Sequence, residues 1–242
     1  MTVDAPTGRR ARMRAQTTAE ILGVARAHLA AEGAGSLSLR AIARDLDMGV
    51  ASLYRYFPSR DDLLTALLVE VFIAQADAVA QAVDSAADPA VALRSGLAEY
   101  RRWALAHPPE FALAYGTPVP GYVAPPERTT AVAVRVGDIL LGQVTRAWDQ
   151  GRIDAGRVAR REDALTPAER AGIEALLTRR GYEVPVGVMS LMVDLFVRIH
   201  GYVVMEVFGQ LRPLTADPHA TFERTVTDAL NDLGLASAYS KG

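Results

Sequence analysis

Two short amphipathic helices joined by a tight turn are predicted within residues 36–60, and this segment constrains the fold more than any other. Ser38 is a favourable N-cap for the first helix. Apolar residues three and four positions apart predict the buried face of that helix: Leu39, Ile42, Ala43 and Leu46. The second helix begins near residues 49–50 and has Leu53 and Phe57 four apart on its inward side. This pattern is typical of a helix-turn-helix that reads DNA.

The same segment resembles the amino-terminal signature of the tetracycline-repressor (TetR) family of bacterial transcription regulators. The residues that match the signature in register are Leu37, Ser38, Arg40, Ile42, Ala43, Leu46, Ser52, Leu53, Tyr54, Tyr56, Phe57, Ser59 and Arg60. Two turn positions differ, because Asp47 replaces the usual glycine and Gly49 replaces a capping serine. Aspartate tolerates the left-handed conformation and glycine is an acceptable N-cap, so both changes are compatible with the motif.

The resemblance implies which side chains meet DNA. The major-groove floor is assigned to Arg40, Val50, Ala51 and Ser52, phosphates are assigned to Ser38, Tyr54, Tyr56 and Arg60, and Arg55 is assigned to either role. The chemistry is suitable, since arginine bonds guanine in bidentate fashion, small apolar groups meet thymine methyls, and hydroxyls bind phosphates. The alternative for both tyrosines, and more for Tyr56 than for Tyr54, is that the ring packs against the rest of the amino-terminal domain, residues 1–60 (the head), and leaves its hydroxyl in water.

Charge is distributed unevenly along the chain. The whole chain carries −2, but residues 1–60 contain nine arginines and five acidic residues, a net +4, which leaves −6 for the remainder. Positive charge at one end favours phosphate contacts. Four of the arginines, Arg9, Arg10, Arg12 and Arg14, are predicted in a flexible arm that follows the DNA backbone or enters a minor groove. The alternative is a solvated arm in a chain whose arginine content reflects composition bias.

An all-α fold is predicted, because apolar spacings of three and four recur and no segment alternates with period two. A capping-box pattern at Thr17 lies inside the first helix or opens it, and this helix is predicted to end at Glu32; a second such pattern at Thr166 opens a later helix. The later helices are predicted at about 61–86, 89–106, 111–115, 127–150, 166–180, 186–210 and 218–233, with a polar, mobile segment at 151–165. The resemblance implies a DNA-binding domain at residues 1–60 and an effector-binding and dimerisation domain at 61–242.

The predicted helix 186–210 is apolar on more than one face, which is more than a helix of a monomer usually buries. The resemblance implies a homodimer in which the last two helices pair with their counterparts as a four-helix bundle. The alternative is a central core helix in a monomeric bundle. Within this helix, Asp194 and Arg198 are four residues apart and predict an ion pair.

The resemblance also implies an unidentified small-molecule effector, whose binding would move the helix 61–86 and change the spacing of the two heads. The available aromatic lining is Tyr100, Trp103, Phe111, Tyr115, Tyr122, Trp148 and Phe196. His200 lies among apolar residues and could bond the effector, with a satisfied structural histidine as the alternative. The segments at 107–111 and 198–201 resemble a carboxy-terminal subclass of the family with a characteristic His-Gly (WHG-type) pair.

The sequence lacks the residue patterns that identify several common classes of enzyme. There is no cysteine, and no nucleophile elbow, phosphate loop or Rossmann glycine pattern occurs. The four histidines lack metal-ligand spacing. We therefore expect no catalysis, no metal and no cofactor. No apolar signal segment occurs at the amino terminus, and charged residues interrupt the apolar segment 184–208, so a cytoplasmic location without a membrane span is expected.

The sequence therefore predicts a homodimeric regulator, acting as a repressor, that binds a palindromic double-stranded operator and is released by an effector. The competing hypothesis is a helical ligand carrier or adaptor that never meets DNA. That hypothesis gives no role to Arg40 or to the basic amino terminus.

Overall fold

The computed structural model describes residues 8–235, and all regular structure in that range is helical. The all-α prediction is confirmed. The helices are α1 (Arg9–Glu32), α2 (Leu39–Asp45), α3 (Val50–Tyr54), α4 (Arg60–Asp84), α5 (Pro89–Ala106), α6 (Pro108–Tyr115), α7 (Pro126–Ala133), α8 (Arg135–Asp149), α9 (Ala155–Asp163), α10 (Pro167–Arg180), α11 (Val186–Val207) and α12 (Pro218–Leu233). A short 3-10 turn, Ala34–Ser36, follows α1.

The chain divides into two compact units. The first contains the described residues up to Ala74 together with His107–Ala133, and the second contains Gln75–Ala106 and the described residues from Val134 onward. This division differs from the predicted boundary after residue 60, because the first turns of α4 are part of the core of the first unit. The assignment of DNA binding to residues 1–60 and of effector binding to 61–242 stays a prediction.

The first unit has one core, which α1, α2, α3 and the beginning of α4 build together. Its buried members are Ile21, Leu22, Ala25, Leu37, Leu39, Ile42, Ala43, Leu53, Phe57, Leu63, Leu64 and Leu67. The spacing predicted for α2 is reproduced, with Leu39, Ile42 and Ala43 all buried. Burial of these side chains on folding is the main stabilising term for so small a head. The core orients α3 with its other faces toward the surface.

The second unit packs around α11, which contacts α5, α8, α9, α10 and α12. A close approach of α9 to α11 requires glycine at position 187, since an added Cβ would lie 2.5 Å from the carbonyl oxygen of Val158. Between α5 and α11, Arg101 donates two hydrogen bonds to the Glu206 carboxylate, at 2.7 and 2.6 Å. These bonds raise the pKa of the Arg101 guanidinium.

Three sequence predictions about helix bounds are wrong. The first helix begins at Arg9, so the predicted arm is helical from that residue. The predicted helix 127–150 is interrupted at Val134, in a stretch rich in β-branched residues that favour helix less. The predicted mobile segment 151–165 contains α9, whose N-cap Asp154 accepts from the Arg157 backbone N–H at 2.6 Å.

The caps of two later helices agree with the sequence, whereas the Thr17 pattern lies inside α1, whose N-cap is Gly8. At the start of α10, Thr166 and Glu169 form the reciprocal capping box, and the helix ends at Gly181 in the left-handed conformation. At the start of α5, Asp88 Oδ1 accepts from the backbone N–H groups of Ala90 and Val91 at 2.8 and 3.0 Å. Each cap satisfies amide groups that the first turn of a helix leaves without partners.

Two helices, α4 and α11, are long and apolar enough to span a membrane by length and composition alone, with mean hydropathies of 1.8 and 1.5. Core helices of water-soluble proteins pass the same test. The apolar window is 56% buried inside the chain in α4, where Leu67 and Val79 belong to the core, and 39% buried in α11, where Ile199 and Val203 do.

Candidate nucleic-acid interface

The turn between α2 and α3 is held by backbone geometry. Ser38 caps α2, with its Oγ accepting from the Ala41 backbone N–H at 3.4 Å. Asp47 adopts the left-handed conformation, with φ of 50°, where most residues are strained. The backbone N–H of Met48 then donates to the Ala43 carbonyl at 2.8 Å and closes the turn. The structure thus places an aspartate in the conformation that glycine usually adopts in this motif.

The helix α3 has one inward and several outward faces. Leu53 is fully buried in the head core, whereas Val50 and Tyr54 are 38% and 43% exposed. Ala51 and Arg55 are also exposed. Large apolar groups on an otherwise polar surface are typical of a contact surface. The arrangement presents a side-chain row of the size that a major groove admits.

The polar groups around α3 contact one another. The Ser52 hydroxyl accepts from Arg55 Nη2 at 3.0 Å, and Tyr56 is half-buried. Arg14 of α1 donates from Nη2 to the Arg55 carbonyl at 3.2 Å, and its guanidinium lies 5.0 Å from the centre of the Tyr56 ring. The half-buried position of Tyr56 agrees with the packing alternative for its ring. The amino-terminal turns of α1 therefore lie directly beside the end of α3.

The arginines predicted in a flexible arm form a basic helical surface instead. Arg9, Arg10, Arg12 and Arg14 all lie in the first two turns of α1 and are exposed. Arginine, alanine and methionine favour helix, which explains why α1 continues to Arg9. A helix with side chains is about 10–12 Å wide and a minor groove only about 6 Å, so these turns do not fit a minor groove as an arm would. Any arm before Gly8 lies outside the described residues.

Two of the predicted DNA-binding residues have structural contacts of their own. Ser38 uses its hydroxyl as the α2 cap. Arg60 donates from Nε to the Leu37 carbonyl at 3.1 Å, and from Nη2 to the carbonyls of Ala34 and Gly35 at 2.8 and 2.9 Å. These bonds tie the start of α4 to the segment before α2. Arg40 is exposed, and no hydrogen bond from its guanidinium is formed within the described residues.

Sequence reasoning missed a polar contact between α1 and α2. His28 Nε2 lies 2.7 Å from Asp45 Oδ2, although the residues are seventeen positions apart. The hydrogen bond from His28 holds the pKa of the Asp45 carboxyl below its ordinary value, against the opposing effect of desolvation. The sequence pattern of α2 predicts that Asp45 lies on the outward face of the helix. Nothing in the sequence identifies His28 as its partner.

The aromatic effector candidates fall into separate groups. In the first unit, the Phe111 and Tyr115 rings are 4.8 Å apart, and the Tyr122 hydroxyl lies 3.0 Å from Thr65 Oγ1. Phe111 is fully buried, and Tyr122 packs against the head core. The structure therefore does not gather all seven candidates into one cluster within either unit.

In the second unit, His200 joins two of the aromatic candidates. Its Nδ1 lies 2.7 Å from the Tyr100 hydroxyl, and its ring stacks on Phe196 with centroids 5.6 Å apart. Burial lowers the pKa of His200, which favours the neutral imidazole. Trp103 is 6% exposed and Trp148 is half-buried. The histidine thus has the partners of a satisfied structural group.

The predicted ion pair within α11 does not form. Asp194 pairs with Arg161 of α9, and Arg198 pairs with Asp232 of α12 at 2.8 Å. Partners on neighbouring helices are nearer than the next turn of the same helix. No group of three or more histidine, cysteine, aspartate or glutamate side chains is placed to hold a metal within residues 8–235.

Two family sequence models match the chain. The model described as bacterial regulatory proteins of the tetR family matches residues 21–67, and the model described as the tetracyclin repressor-like C-terminal domain matches residues 93–229. The HTH-type transcriptional regulator Rv1816 of Mycobacterium tuberculosis is 36% identical over 222 residues, which cover 89% of this chain and 92% of the relative. These matches do not separate the His-Gly subclass, which stays a prediction.

Solved structures agree with the sequence matches. SCO4313, a proposed regulatory protein, superposes with a TM-score of 0.75 and 31% identity, over 93% of this chain and 100% of its own. RolR, solved in complex with resorcinol, has the same fold at a TM-score of 0.54 and 18% identity, over 94% and 92%. The chain therefore belongs to the TetR family and is a DNA-binding transcription regulator.

Proposed function

We propose that the chain is a homodimeric repressor that binds a palindromic operator and is released by a small-molecule effector. The observation that carries the proposal is the exposed row of α3 side chains beside the basic first turns of α1. Two such heads related by a twofold axis would occupy successive major grooves about one helical turn apart. The same proposal includes a cytoplasmic location and no catalytic activity or cofactor.

The DNA contacts are assigned in two sets. Base edges are assigned to Arg40, Val50, Ala51 and Ser52, phosphates to Ser38, Tyr54, Tyr56 and Arg60, and either role to Arg55. Exposure of Arg40, Val50 and Tyr54 supports their assignment. The existing contacts of Arg60 make it the weakest member, since its Nε and Nη2 already donate to backbone carbonyls, whereas Ser38 accepts in its capping bond and keeps its hydroxyl donor for a phosphate.

A dimer through the last two helices is supported by the surface of α11. Val193 and Val197 lie four residues apart and are 42% and 63% exposed, and Phe208, just beyond the helix, is 39% exposed. Gly201 lies in the same row, where an added Cβ would meet no described atom within 4 Å. Exposed valines in a row with a small residue allow close approach of a second helix. A second copy of the chain is the occupant that symmetry favours.

The effector is assigned to the effector-binding domain, residues 61–242 (the body). Its candidate contacts are Trp103, Phe111, Tyr115, Tyr122, Trp148, Phe196 and His200. Release requires that the effector prefer the state that does not bind DNA, by about 1.4 kcal/mol for each tenfold loss of operator affinity. A compound that binds the body without changing operator affinity is not the inducer.

Fluorescence anisotropy tests the proposal, with purified protein titrated onto the DNA that flanks its own coding region and onto scrambled DNA. We expect preferential binding to the flanking DNA that weakens steeply with salt. Arg40→Ala should cost about 1–3 kcal/mol, roughly tenfold to a hundredfold in affinity. The matched control is Arg179→Ala, which removes an exposed arginine from α10.

Two results would contradict the proposal. Equal losses for Arg40→Ala and Arg179→Ala would mean that only total charge matters. Failure to select any sequence from a pool of random duplexes would favour the ligand carrier. The first result leaves a DNA-binding protein with another reading surface, whereas the second removes DNA as the partner.

A further inference from the structure

A cavity of about 500 Å³ lies between α9, α11 and α12, within the second unit. Its lining is unusually basic and comes from all three helices. Its lining includes Arg157, Arg160, Arg161, Asp194, Arg198 and Asp232. None of the aromatic effector candidates and none of the DNA-binding residues is among them. The cavity is therefore separate from the proposed DNA-binding and effector residues, although α11 and α12 also belong to the proposed dimer surface.

Four arginines face two aspartates there, so the lining carries a net charge of +2. Several guanidinium groups are held in place by other helices. Arg157 donates from Nη1 to the carbonyls of Asn231 and Asp232, at 2.9 and 2.6 Å. Arg161 donates from Nε to the buried hydroxyl of Ser190 at 2.8 Å and also pairs with Asp194. Fixed donors lose less entropy on binding a ligand than mobile ones.

Each of these guanidinium groups keeps nitrogens that the described contacts do not use. The bonds of Arg157 involve Nη1, and those of Arg161 involve Nε and Nη2. The Arg198 pair with Asp232 uses Nη1. Arg160 is the most exposed of the four, with one contact to Asp154 at 3.7 Å. Planar guanidinium groups with free N–H donors match carboxylate and phosphate oxygens.

The remaining lining is apolar. Leu195 and Leu233 are almost fully buried beneath the cavity, so the apolar surface that a ligand can reach comes from the half-buried Leu191 and the exposed Ala164. A volume near 500 Å³ is in the usual range for sites that hold small organic molecules and far exceeds the space of a single inorganic anion. Basic groups together with an accessible apolar surface select a molecule that has both an anionic and an apolar part.

We propose that this cavity binds a small organic anion with a phosphate or carboxylate head and an apolar body. The head contacts the four arginines, and the apolar body lies against Leu191 and Ala164. The two aspartates orient the arginines and leave a net charge of +2, or +1 when Asp154 beside Arg160 is counted, which a ligand with one or two negative charges neutralises. This inference does not depend on DNA binding or on the effector assignment above.

Isothermal titration calorimetry on the full-length protein tests the proposal with a matched set of probes. The probes are 1-naphthyl phosphate, 1-naphthoate, uncharged 1-naphthalenemethanol and inorganic phosphate. We expect one site per chain for at least one naphthyl anion, and binding at least tenfold weaker for the alcohol and for inorganic phosphate. The tighter of the two naphthyl anions identifies the preferred head group.

Two variants localise the binding. Arg160→Ala and Arg161→Ala should each weaken the better anion about tenfold, the worth of one charge-assisted hydrogen bond. Arg160 is mostly exposed, so its removal should leave the fold intact even if Arg161→Ala does not. Arg179→Ala removes the same charge outside the lining and should leave the affinity unchanged.

Three outcomes would overturn the proposal. Equal affinities for the alcohol and the anions would show that the arginines take no part. An Arg160→Ala affinity equal to that of Arg179→Ala would place any anion elsewhere. Absence of binding by either naphthyl anion would overturn the proposal by itself, and weaker self-association of Arg161→Ala by light scattering would then mean that a second copy of the chain covers the cavity.

Discussion

Arg60 is assigned to DNA phosphates but also bonds three backbone carbonyls, and the variant Arg60→Ala tests how much these bonds stabilise the head. The variant removes three hydrogen bonds to the carbonyls of Ala34, Gly35 and Leu37. Bonds from a charged donor contribute about 1.5–3 kcal/mol each when buried, but this side chain is only half-buried and two of the bonds share one nitrogen. We therefore expect a loss of about 2–4 kcal/mol in the stability of the head.

Hydrogen exchange followed by mass spectrometry is the suitable assay, because a chain with two units need not unfold in a single step. Peptides from α1, α2 and α3 should exchange faster in Arg60→Ala by a factor of about 30–1,000, which corresponds to 2–4 kcal/mol. Peptides from α10 should be unchanged. Arg40→Ala is the control, since it removes the same charge from an exposed position and should shift stability by less than about 0.5 kcal/mol.

A third variant, Arg60→Lys, decides between the roles. Lysine keeps the charge but cannot reproduce the guanidinium geometry, so the head should stay destabilised. The structural reasoning is refuted if Arg60→Ala exchanges like the unmodified protein and yet loses operator affinity that Arg60→Lys restores. That pattern would assign Arg60 to phosphates alone.

Three further outcomes are expected. Gly187→Ala should destabilise the second unit by about 1–3 kcal/mol in chemical denaturation, because the added methyl group clashes with α9. Gly172→Ala, whose added Cβ meets no atom within 4 Å, should be neutral or stabilising. Equal effects of the two variants would contradict the close packing of α9 on α11. Burial lowers the pKa of His200 in the folded chain, so the stability that the neutral ring contributes should be complete above its unfolded pKa and be lost as the pH falls below that value. Thermal melts between pH 8 and 5 should therefore show a smaller decline in melting temperature for His200→Asn than for the unmodified protein. Parallel declines would count against burial of the neutral ring. Val197→Glu should convert a dimer into a monomer by light scattering with its circular dichroism retained, and a persistent dimer would move the interface away from α11.

Features that depend on neighbours in sequence could be predicted, and features that depend on distant partners could not. The Ser38 cap, the Thr166 capping box and the left-handed Asp47 all follow from a few adjacent residues. The carbonyl partners of Arg60 lie 23 to 26 positions away, and Asp194 pairs across 33 positions with Arg161. Nothing local distinguishes such arginines from solvent-exposed ones.

The same limit applies to the candidate site. The inward and outward sides of α3 could be predicted, because Leu53 and Phe57 are four residues apart and both are buried. The start of α1 at Arg9 was not predicted, because the run of arginines is preceded by no capping side chain that would mark where a helix begins. Which of the outward residues meet bases and which meet phosphates depends on the docked DNA, and those assignments remain predictions.

The composition of the head core determines how operator specificity can move between members of the family. Three fully buried leucines of that core, Leu63, Leu64 and Leu67, lie beyond residue 60, in the first turns of α4. A recombination event that joined this head to a foreign body at residue 60 would replace one wall of the core with unselected side chains. A productive crossover must therefore fall after Leu67, inside α4, and not in the loop that precedes this helix.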